Sequence, residues 1–382
     1  MIVGVPQETF PGERRVALVP ATVATLIKAG FEVRMQSGAG LAAGYPDQQY
    51  LDKGAKLTTR EEALAADVLL LVRVGGANPE AGRADLPRLR AAQVIVGLCD
   101  PFTGPQAIAE LAQRGVTLFS LELLPRITRA QSMDVLSSQA TLAGYRAVLL
   151  AAVALPKMFP MMMTAAGTIT PARVFVIGAG VAGLQAIATS ARLGGIVSAY
   201  DVRPAVKEQV QSLGAKFVEV PLDTSAAETK GGYAQQMDEA FLQRQRDLMA
   251  RVVAESDVVI TTAAVPGKKA PLLVTTAMVE GMAAGAVLVD LAAERGGNCE
   301  LTRPGERLVH KGVVILGPTN LPAEVPFHAS QLYAKNITTF LLALVKDGQI
   351  KLDMDDEIIR ETLVTRDGKV VNAAVAAKLT EN

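Results

Sequence analysis

Three glycines, spaced Gly178-Ala-Gly180-Val-Ala-Gly183, follow directly on the β-branched run Arg173-Val-Phe-Val-Ile177 and open into Leu184-Gln-Ala-Ile-Ala-Thr-Ser-Ala-Arg-Leu193. A strand, a glycine turn and a helix in that order make an anion site. The first glycine permits a tight turn, the second lets a pyrophosphate approach the main chain, and the third lets helix and strand pack closely. The helix start adds unpaired N–H donors and a dipole worth about 0.3–1 kcal/mol to an anion. The next predicted strand ends at Asp201, 18 residues past Gly183. A carboxylate there accepts the hydroxyls of an adenosine ribose and repels a 2′-phosphate. The residues therefore point to a dinucleotide, with NAD(H) favoured over NADP(H). Arg203, two residues on, could instead welcome that phosphate.

A second constellation runs Pro125-Arg126-Ile-Thr-Arg129-Ala-Gln131-Ser-Met-Asp134-Val-Leu-Ser137-Ser138. Positions 131, 134 and 137–138 recur every three to four residues and are expected on one helical face, with Arg126 placed to pair with Asp134. A capped, solvated helix start has the same pattern. Position favours a binding role, because this junction falls where an interdomain cleft should lie and such clefts are the usual ligand site. Other chemistries are missing. His310 and His328 stand far apart with no zinc-ligand spacing around them, so no metal is expected, and no Gly-x-Ser-x-Gly elbow occurs. His328, after Pro326-Phe327, reads as structural. No acid/base pair stands out either, and direct hydride transfer between two nicotinamide rings needs none, since the cofactors carry that chemistry.

The elements that position these groups alternate. Strands are expected near residues 1–5, 31–36, 68–74, 93–98 and 116–121, then near 173–177, 196–201, 216–220, 257–262, 286–290 and 313–316, with helical stretches such as 20–29 and 105–114 between them. That alternation predicts an α/β protein with two doubly wound parallel sheets. Residues 132–157 and 330–345 read as two long helices joining the units. The expected division is 1–130 with 346–382 as the first domain, 131–157 and 330–345 as connectors, and 158–329 as the dinucleotide domain. The polar segment 223–236 has neither period and is expected to be a long mobile loop.

Composition agrees with covered α/β layers. The 38 Lys+Arg balance 38 Asp+Glu, half the 382 residues are apolar, and there is no Trp. A neutral chain offers nothing to nucleic acid or an acidic membrane surface. The longest apolar stretch, nine residues from Ala147 to Leu155, stops at Pro156-Lys157, well short of the roughly 20 a membrane span needs. No signal peptide is seen, and two cysteines suggest a reducing compartment. The chain is expected to be soluble and cytoplasmic.

Over nearly its whole length the chain resembles the NAD(H)-binding domain I, or alpha-1 subunit, of proton-translocating NAD(P) transhydrogenase, in the family that includes alanine dehydrogenase. The resemblance rests on Pro6-Gln-Glu-Thr-Phe-Pro-Gly-Glu-Arg-Arg-Val16, residues 122–139, Phe159-Pro-Met-Met-Met-Thr-Ala-Ala-Gly167, residues 178–188, Lys230-Gly-Gly-Tyr233, residues 290–299 and Val364-Thr-Arg-Asp-Gly368. It implies two Rossmann-like domains, NAD(H) in the cleft, and a homodimer. It also implies membrane subunits carrying the proton channel, which would hold the protein at the inner face of the cytoplasmic membrane, and a docking domain III that alone binds NADP(H). On matching positions Arg126, Asp134 and Ser137 would hold the nicotinamide end, Gln131 would sit at the hydride-transfer face, and Tyr233 would close the loop over the adenosine end. With Val181, Ala182, Val202, Arg203, Gly232, Ala263 and Ala264, these residues and the glycine turn make up the expected cofactor-contact set.

Two alternatives stand beside this. An alanine-dehydrogenase-like amino-acid oxidoreductase keeps Arg15 as its carboxylate-binding arginine. Here, however, Asp100 stands where those enzymes place a catalytic His, Val72-Arg73-Val74-Gly75 replaces their lysine-rich segment, and Glu294 stands for an Asp. A non-catalytic NAD(H)-sensing module is the other.

Overall fold

The computed structural model describes residues 1–219, 239–264, 267, 269–346 and 348–380, with backbone alone at 239–243. The chain forms two compact units, residues 1–140 with 322–382 and residues 141–321.

The first unit starts with β1 (Ile2–Val5), β2 (Glu32–Gln36), β3 (Lys56–Thr58), β4 (Val68–Arg73), β5 (Val94–Leu98) and β6 (Thr117–Ser120). All six are parallel, in spatial order β3-β2-β1-β4-β5-β6. Parallel pairing demands crossovers, and helices such as Pro20–Lys28 and Pro105–Gln113 supply them, each starting on a proline whose fixed φ suits the first turn.

The second unit has a hairpin, β7 (Met162–Thr164) with β8 (Gly167–Ile169), and then β9 (Arg173–Ile177), β10 (Ile196–Tyr200), β11 (Lys216–Phe217), β12 (Val258–Thr261), β13 (Val287–Asp290), β14 (Arg307–His310) and β15 (Val313–Leu316). Its main sheet runs β11-β10-β9-β12-β13-β15-β14, parallel except for β14 on β15. Without that edge strand, both sheets have the doubly wound order third, second, first, fourth, fifth, sixth. The order reverses between β1 and β4 in one and between β9 and β12 in the other. The crevice beyond the strands' carboxyl ends at such a point is where open α/β sheets take ligands.

The chain then returns through helix Pro326–Leu344 and the short pair β16 (Val345–Lys346) and β17 (Gln349–Ile350). The tail strands β18 (Leu363–Arg366) and β19 (Lys369–Val370) extend the first sheet beyond β6, both antiparallel. The return helix lies wholly in the first unit and starts at Pro326 rather than Ser330, because proline fits the first helical position. It buries Tyr333, Ile337 and Phe340, and Phe340 meets Phe119 of β6 edge-on at 5.5 Å. The helix expected over 132–157 spans Val135–Ala154, preceded by a 3₁₀ turn, Thr128–Met133. Among the described residues no helix is long and apolar enough to cross a membrane.

At the first unit's reversal point the chain fills its own crevice. Glu8 accepts the Val72 and Arg73 amides at 2.7 and 3.1 Å. Glu13 is clasped by Arg15, Nε at 2.8 Å and Nη2 at 2.7 Å, and by Arg73 Nε at 3.1 Å. Arg15 Nη1 donates to Gln139 at 3.0 Å, and the Arg73 guanidinium lies 4.2 Å from the Phe10 ring centre. Burial pushes the Glu8 carboxyl up to about 8, against its two amide donors. Burial also acts on Glu13, but the hydrogen bonds and charge of Arg15 bring it down to about 2.

The Glu8 shift has a sign that can be measured. A carboxyl whose folded pKa exceeds its unfolded value of 4.5 contributes most stability below that pH. The contribution is lost as pH rises toward the folded value. Glu8→Gln is expected to flatten the fall in melting temperature between about pH 5 and pH 8, from a lower starting value because its amino group cannot accept the second backbone amide. An unchanged slope would assign the titration to another group.

Candidate dinucleotide-binding site

The glycine turn sits at the carboxyl end of β9, beside the reversal point of the second sheet. Gly178 has φ +99°, a conformation that only glycine takes without strain, and a β-carbon there would lie 2.5 Å from Thr262 Oγ1. Its amide donates to the Tyr200 carbonyl at 2.8 Å. Gly183 is in the first turn of helix Val181–Arg192, where a β-carbon would stand 1.8 Å from the Gly178 carbonyl oxygen. Gly180 differs. It caps the helix with φ −78°, and a β-carbon there would meet nothing within 4 Å. That open face fronts first-turn amides that have no intrahelical acceptor, a cradle that fits a pyrophosphate.

Asp201 follows β10, its side chain 6% exposed. Oδ2 accepts the Ala179 amide at 2.7 Å and Arg203 Nη2 at 2.9 Å. Oδ1 accepts the Arg203 amide at 2.8 Å and its Nε at 2.9 Å. Burial alone would raise this carboxyl, but the Arg203 bonds and the Ala179 amide outweigh it and hold it below the usual range. Four donors fill a carboxylate. The acid expected to meet the ribose is thus engaged by Arg203, whose exposed side chain is the partner free to move aside. Val202, between them, is exposed.

Ala263 and Ala264 follow β12, on the other side of the reversal point. Thr262 Oγ1 donates to the Gly178 carbonyl at 3.0 Å and ties this loop to the glycine turn. Asn298, which the sequence reading did not single out, holds the loop from behind. Its side chain accepts the Ala263 amide at 3.0 Å and donates to the Ala263 and Pro271 carbonyls at 2.8 Å each. Asp290, at the end of β13, accepts the Asn298 amide at 2.7 Å and the hydroxyls of Thr261 and Thr302 at 2.9 and 2.7 Å. The available signal was a carboxylate closing the apolar strand Val-Leu-Val-Asp290, since a buried acid must find donors.

The first unit carries Arg126, Gln131, Asp134 and Ser137, and here the expectation of one helical face is corrected. Gln131 lies in the 3₁₀ turn, Asp134 precedes the helix, and Ser137 is in its first turn. Asp134 is an N-cap: Oδ1 accepts the Ser137 amide at 2.9 Å and Oδ2 its hydroxyl at 2.6 Å. The carboxylate is spent on the helix start and does not pair with Arg126. Arg126 and Gln131 are exposed, while Asp134 and Ser137 are half-buried. The structure thus gathers Gly178, Gly180, Val181, Ala182, Gly183, Asp201, Val202, Arg203, Ala263 and Ala264 at the carboxyl ends of β9, β10 and β12. It groups Arg126, Gln131, Asp134 and Ser137 around the start of one helix. Gly232 and Tyr233 lie outside the described residues.

Known proteins resemble this chain along its length. The alanine dehydrogenase/PNT N-terminal domain matches residues 4–143 and the alanine dehydrogenase/PNT C-terminal domain residues 147–373. A Rhodospirillum rubrum protein named for NAD(P) transhydrogenase subunit alpha is 45% identical over 99% of this chain and 100% of its own length. Alanine dehydrogenase of Bacillus subtilis is 28% identical over 99% of this chain and 95% of its own. Among solved structures, the transhydrogenase from Sinorhizobium meliloti superposes with a TM-score of 0.88 at 46% identity, covering 97% of this chain and 100% of that one.

The two glycines after Gly178 separate packing from access. Gly183→Ala drives a β-carbon into backbone and is expected to lose about 1–3 kcal/mol or more. Gly180→Ala has space on every side and is expected to melt within about 0.5 kcal/mol of the parent. Denaturant titration of both checks this, and equal losses would contradict the open face at Gly180.

Proposed function

The chain belongs to the alanine dehydrogenase/PNT family, and we propose that it is the NAD(H)-binding subunit of a proton-translocating transhydrogenase. The observation that carries this reading is the glycine turn at a strand-order reversal, with Gly180 open in front of a helix start and Asp201 at the end of the neighbouring strand. The amides of Val181 and Ala182 bind the pyrophosphate, Asp201, Val202 and Arg203 meet the adenosine ribose, and Ala263 and Ala264 line the cofactor. Gly232 and Tyr233 belong to the same proposed cofactor-contact set, Tyr233 toward the adenosine end. Arg126, Asp134 and Ser137 hold the nicotinamide end, and Gln131 is presented at the face where transfer occurs.

When bound, NAD(H) supplies or accepts a hydride, and the second nicotinamide is bound as NADP(H) on a docking partner subunit. A hydride exchanged directly between two nicotinamides would carry its own electron pair, so no residue of this chain would need to donate a proton. Membrane subunits carry the coupled proton and hold the protein at the inner face of the cytoplasmic membrane. A homodimer belongs to the same reading. It is supported by the hairpin of β7 and β8, which leaves Met161 and Met163 60% and 76% exposed, the kind of apolar surface a second protein covers.

The Glu13–Arg15 pair favours this reading over amino-acid oxidation. An arginine meant for a substrate carboxylate must have its fork available, whereas Arg15 already grips Glu13 with two nitrogens and donates to Gln139 with a third. NADH consumption by this chain alone with pyruvate and ammonia would overturn the proposal. A complex that binds NADH yet never exchanges hydride with NADP⁺ would leave only a sensing role.

Cofactor choice is tested by titrating the chain with NADH and NADPH and following nicotinamide fluorescence, which the absence of Trp leaves clean. Asp201→Asn is expected to weaken NADH about ten- to a hundredfold, from losing a hydrogen bond to a charged group. Arg203→Ala leaves the Asp201 charge unopposed and is expected to sharpen discrimination against NADPH. A preference for NADPH in the parent chain would make Arg203 the ribose-site determinant and sink the NAD assignment. Gln131→Asn is expected to bind NADH normally and to slow single-turnover hydride transfer in the assembled complex. Lost affinity with intact transfer would remove Gln131 from its role.

A further inference from the structure

We infer that Asn336 is a positioning residue that sets how Gln131 is presented, an inference that rests on the role proposed for Gln131. The 3₁₀ turn Thr128–Met133 buries Ala130 and Met133. Residues three apart eclipse in such a turn, so with those two turned inward Gln131 is left facing outward, as its exposure shows. The direction of Gln131 therefore follows the rotation of the turn. Carbonyls at a helix end have no next turn to bond. Here the Ser132 carbonyl, on the residue after Gln131, accepts Asn336 Nδ2 at 2.8 Å. The other end of the same amide, Oδ1, accepts the Ser138 hydroxyl at 2.7 Å.

Asn336 projects from helix Pro326–Leu344, near the buried Tyr333, Ile337 and Phe340 in sequence, and is itself buried. An apolar side chain would suit such a position, and a buried amide is costly unless both ends are paired. Both ends are paired, and both partners belong to the segment that carries Gln131 and caps helix Val135–Ala154. Its orientation is also settled, because a carbonyl oxygen only accepts and the Asn336 amino group must face Ser132. From Ser138 the chain of bonds continues through Gln139, whose Nε2 lies 3.3 Å from the Ser138 hydroxyl and whose Oε1 accepts Arg15. The Ser132 bond is thus the direct hold on the turn, while the Ser138 bond fixes the Asn336 amide and continues toward the Glu13–Arg15 pair.

A 1 Å misplacement caused by a change far from the chemistry can cost on the order of a hundredfold in rate. The test uses the full chain assembled with its NADP(H)-binding partner. Asn336→Leu deletes both links while keeping the same number and branching of side-chain heavy atoms. It is expected to slow single-turnover hydride transfer at saturating NADH about tenfold or more, with NADH affinity within about threefold and a cooperative melt. Ser138→Ala deletes only the second link and is expected to transfer within about threefold of the parent. In a Gln131→Ala background, Asn336→Leu is expected to add less than about twofold, because residues acting through one another are not additive.

Equal slowing from Ser138→Ala, or a multiplicative effect with Gln131→Ala, would overturn the inference. Full-rate transfer by Gln131→Ala alone would instead overturn the role proposed for Gln131, and this inference with it. If Asn336→Leu does not fold, Asn336→Asp replaces it. A protonated carboxyl can again donate to the Ser132 carbonyl, so this variant is expected to recover, relative to the parent, as pH falls. A flat pH profile at a reduced rate would count against positioning.

Discussion

The steric closeness of three backbones governs the second unit. Helix Val181–Arg192 approaches β9 so tightly that a β-carbon at 183 would overlap the Gly178 carbonyl. From the other side, helix Val135–Ala154 comes so near the same helix start that a β-carbon at Gly144 would lie 2.1 Å from the Ala182 carbonyl oxygen. Strand, helix start and long helix therefore converge only because two positions have no side chain. The convergence fixes the direction of the helix N-terminus and leaves Gly180 as the uncovered face. Asp201 through the Ala179 amide, and Thr262 through the Gly178 carbonyl, then brace the turn from the strands on either side.

Irregular backbone at the strand ends is completed by buried polar side chains, each standing in for a missing main-chain neighbour. Asn298 pairs with both the amide and the carbonyl of Ala263. Glu122 accepts the Cys99 and Asp100 amides at 2.7 and 2.8 Å, and Glu8 accepts those of Val72 and Arg73. Removing one partner from such an arrangement leaves an unsatisfied group and costs more than the bond itself is worth. The two sheets share a strand order yet differ in chemistry at this level. One reversal point is lined by glycine and exposed amides. The other is occupied by the chain's own Glu8, Glu13 and Arg15, so equal topology does not make two equal sites.

Elements with a strong local signal were legible. The apolar runs of β4, β5, β9, β12, β13 and β15 are buried on both faces, and residue type alone identifies such strands. Strands of two or three residues, β3 and β16 among them, have no period to read, and β14 and the tail strands exist through the neighbours they pair with. The polar spacing around residues 131–138 suggested a helix because three- and four-residue intervals fit one. A 3₁₀ turn of three residues per turn produces a similar interval, and the choice was settled by Asp134 spending its carboxylate on the cap.

The residue types by themselves determined the doubly wound class, the glycine turn between a strand and a helix, and the acid that closes the next strand. Each follows from local sterics or from side-chain chemistry, which need no partner distant in the chain. Tertiary structure alone decided that Glu8 meets the Val72 and Arg73 amides, that Arg15 reaches Gln139, and that Asn298 and Asn336 hold loops from helices and strands far along the chain. These are pairings between residues separated by up to 204 positions, and a single sequence carries no signal for which buried donor will meet which acceptor until packing brings them together.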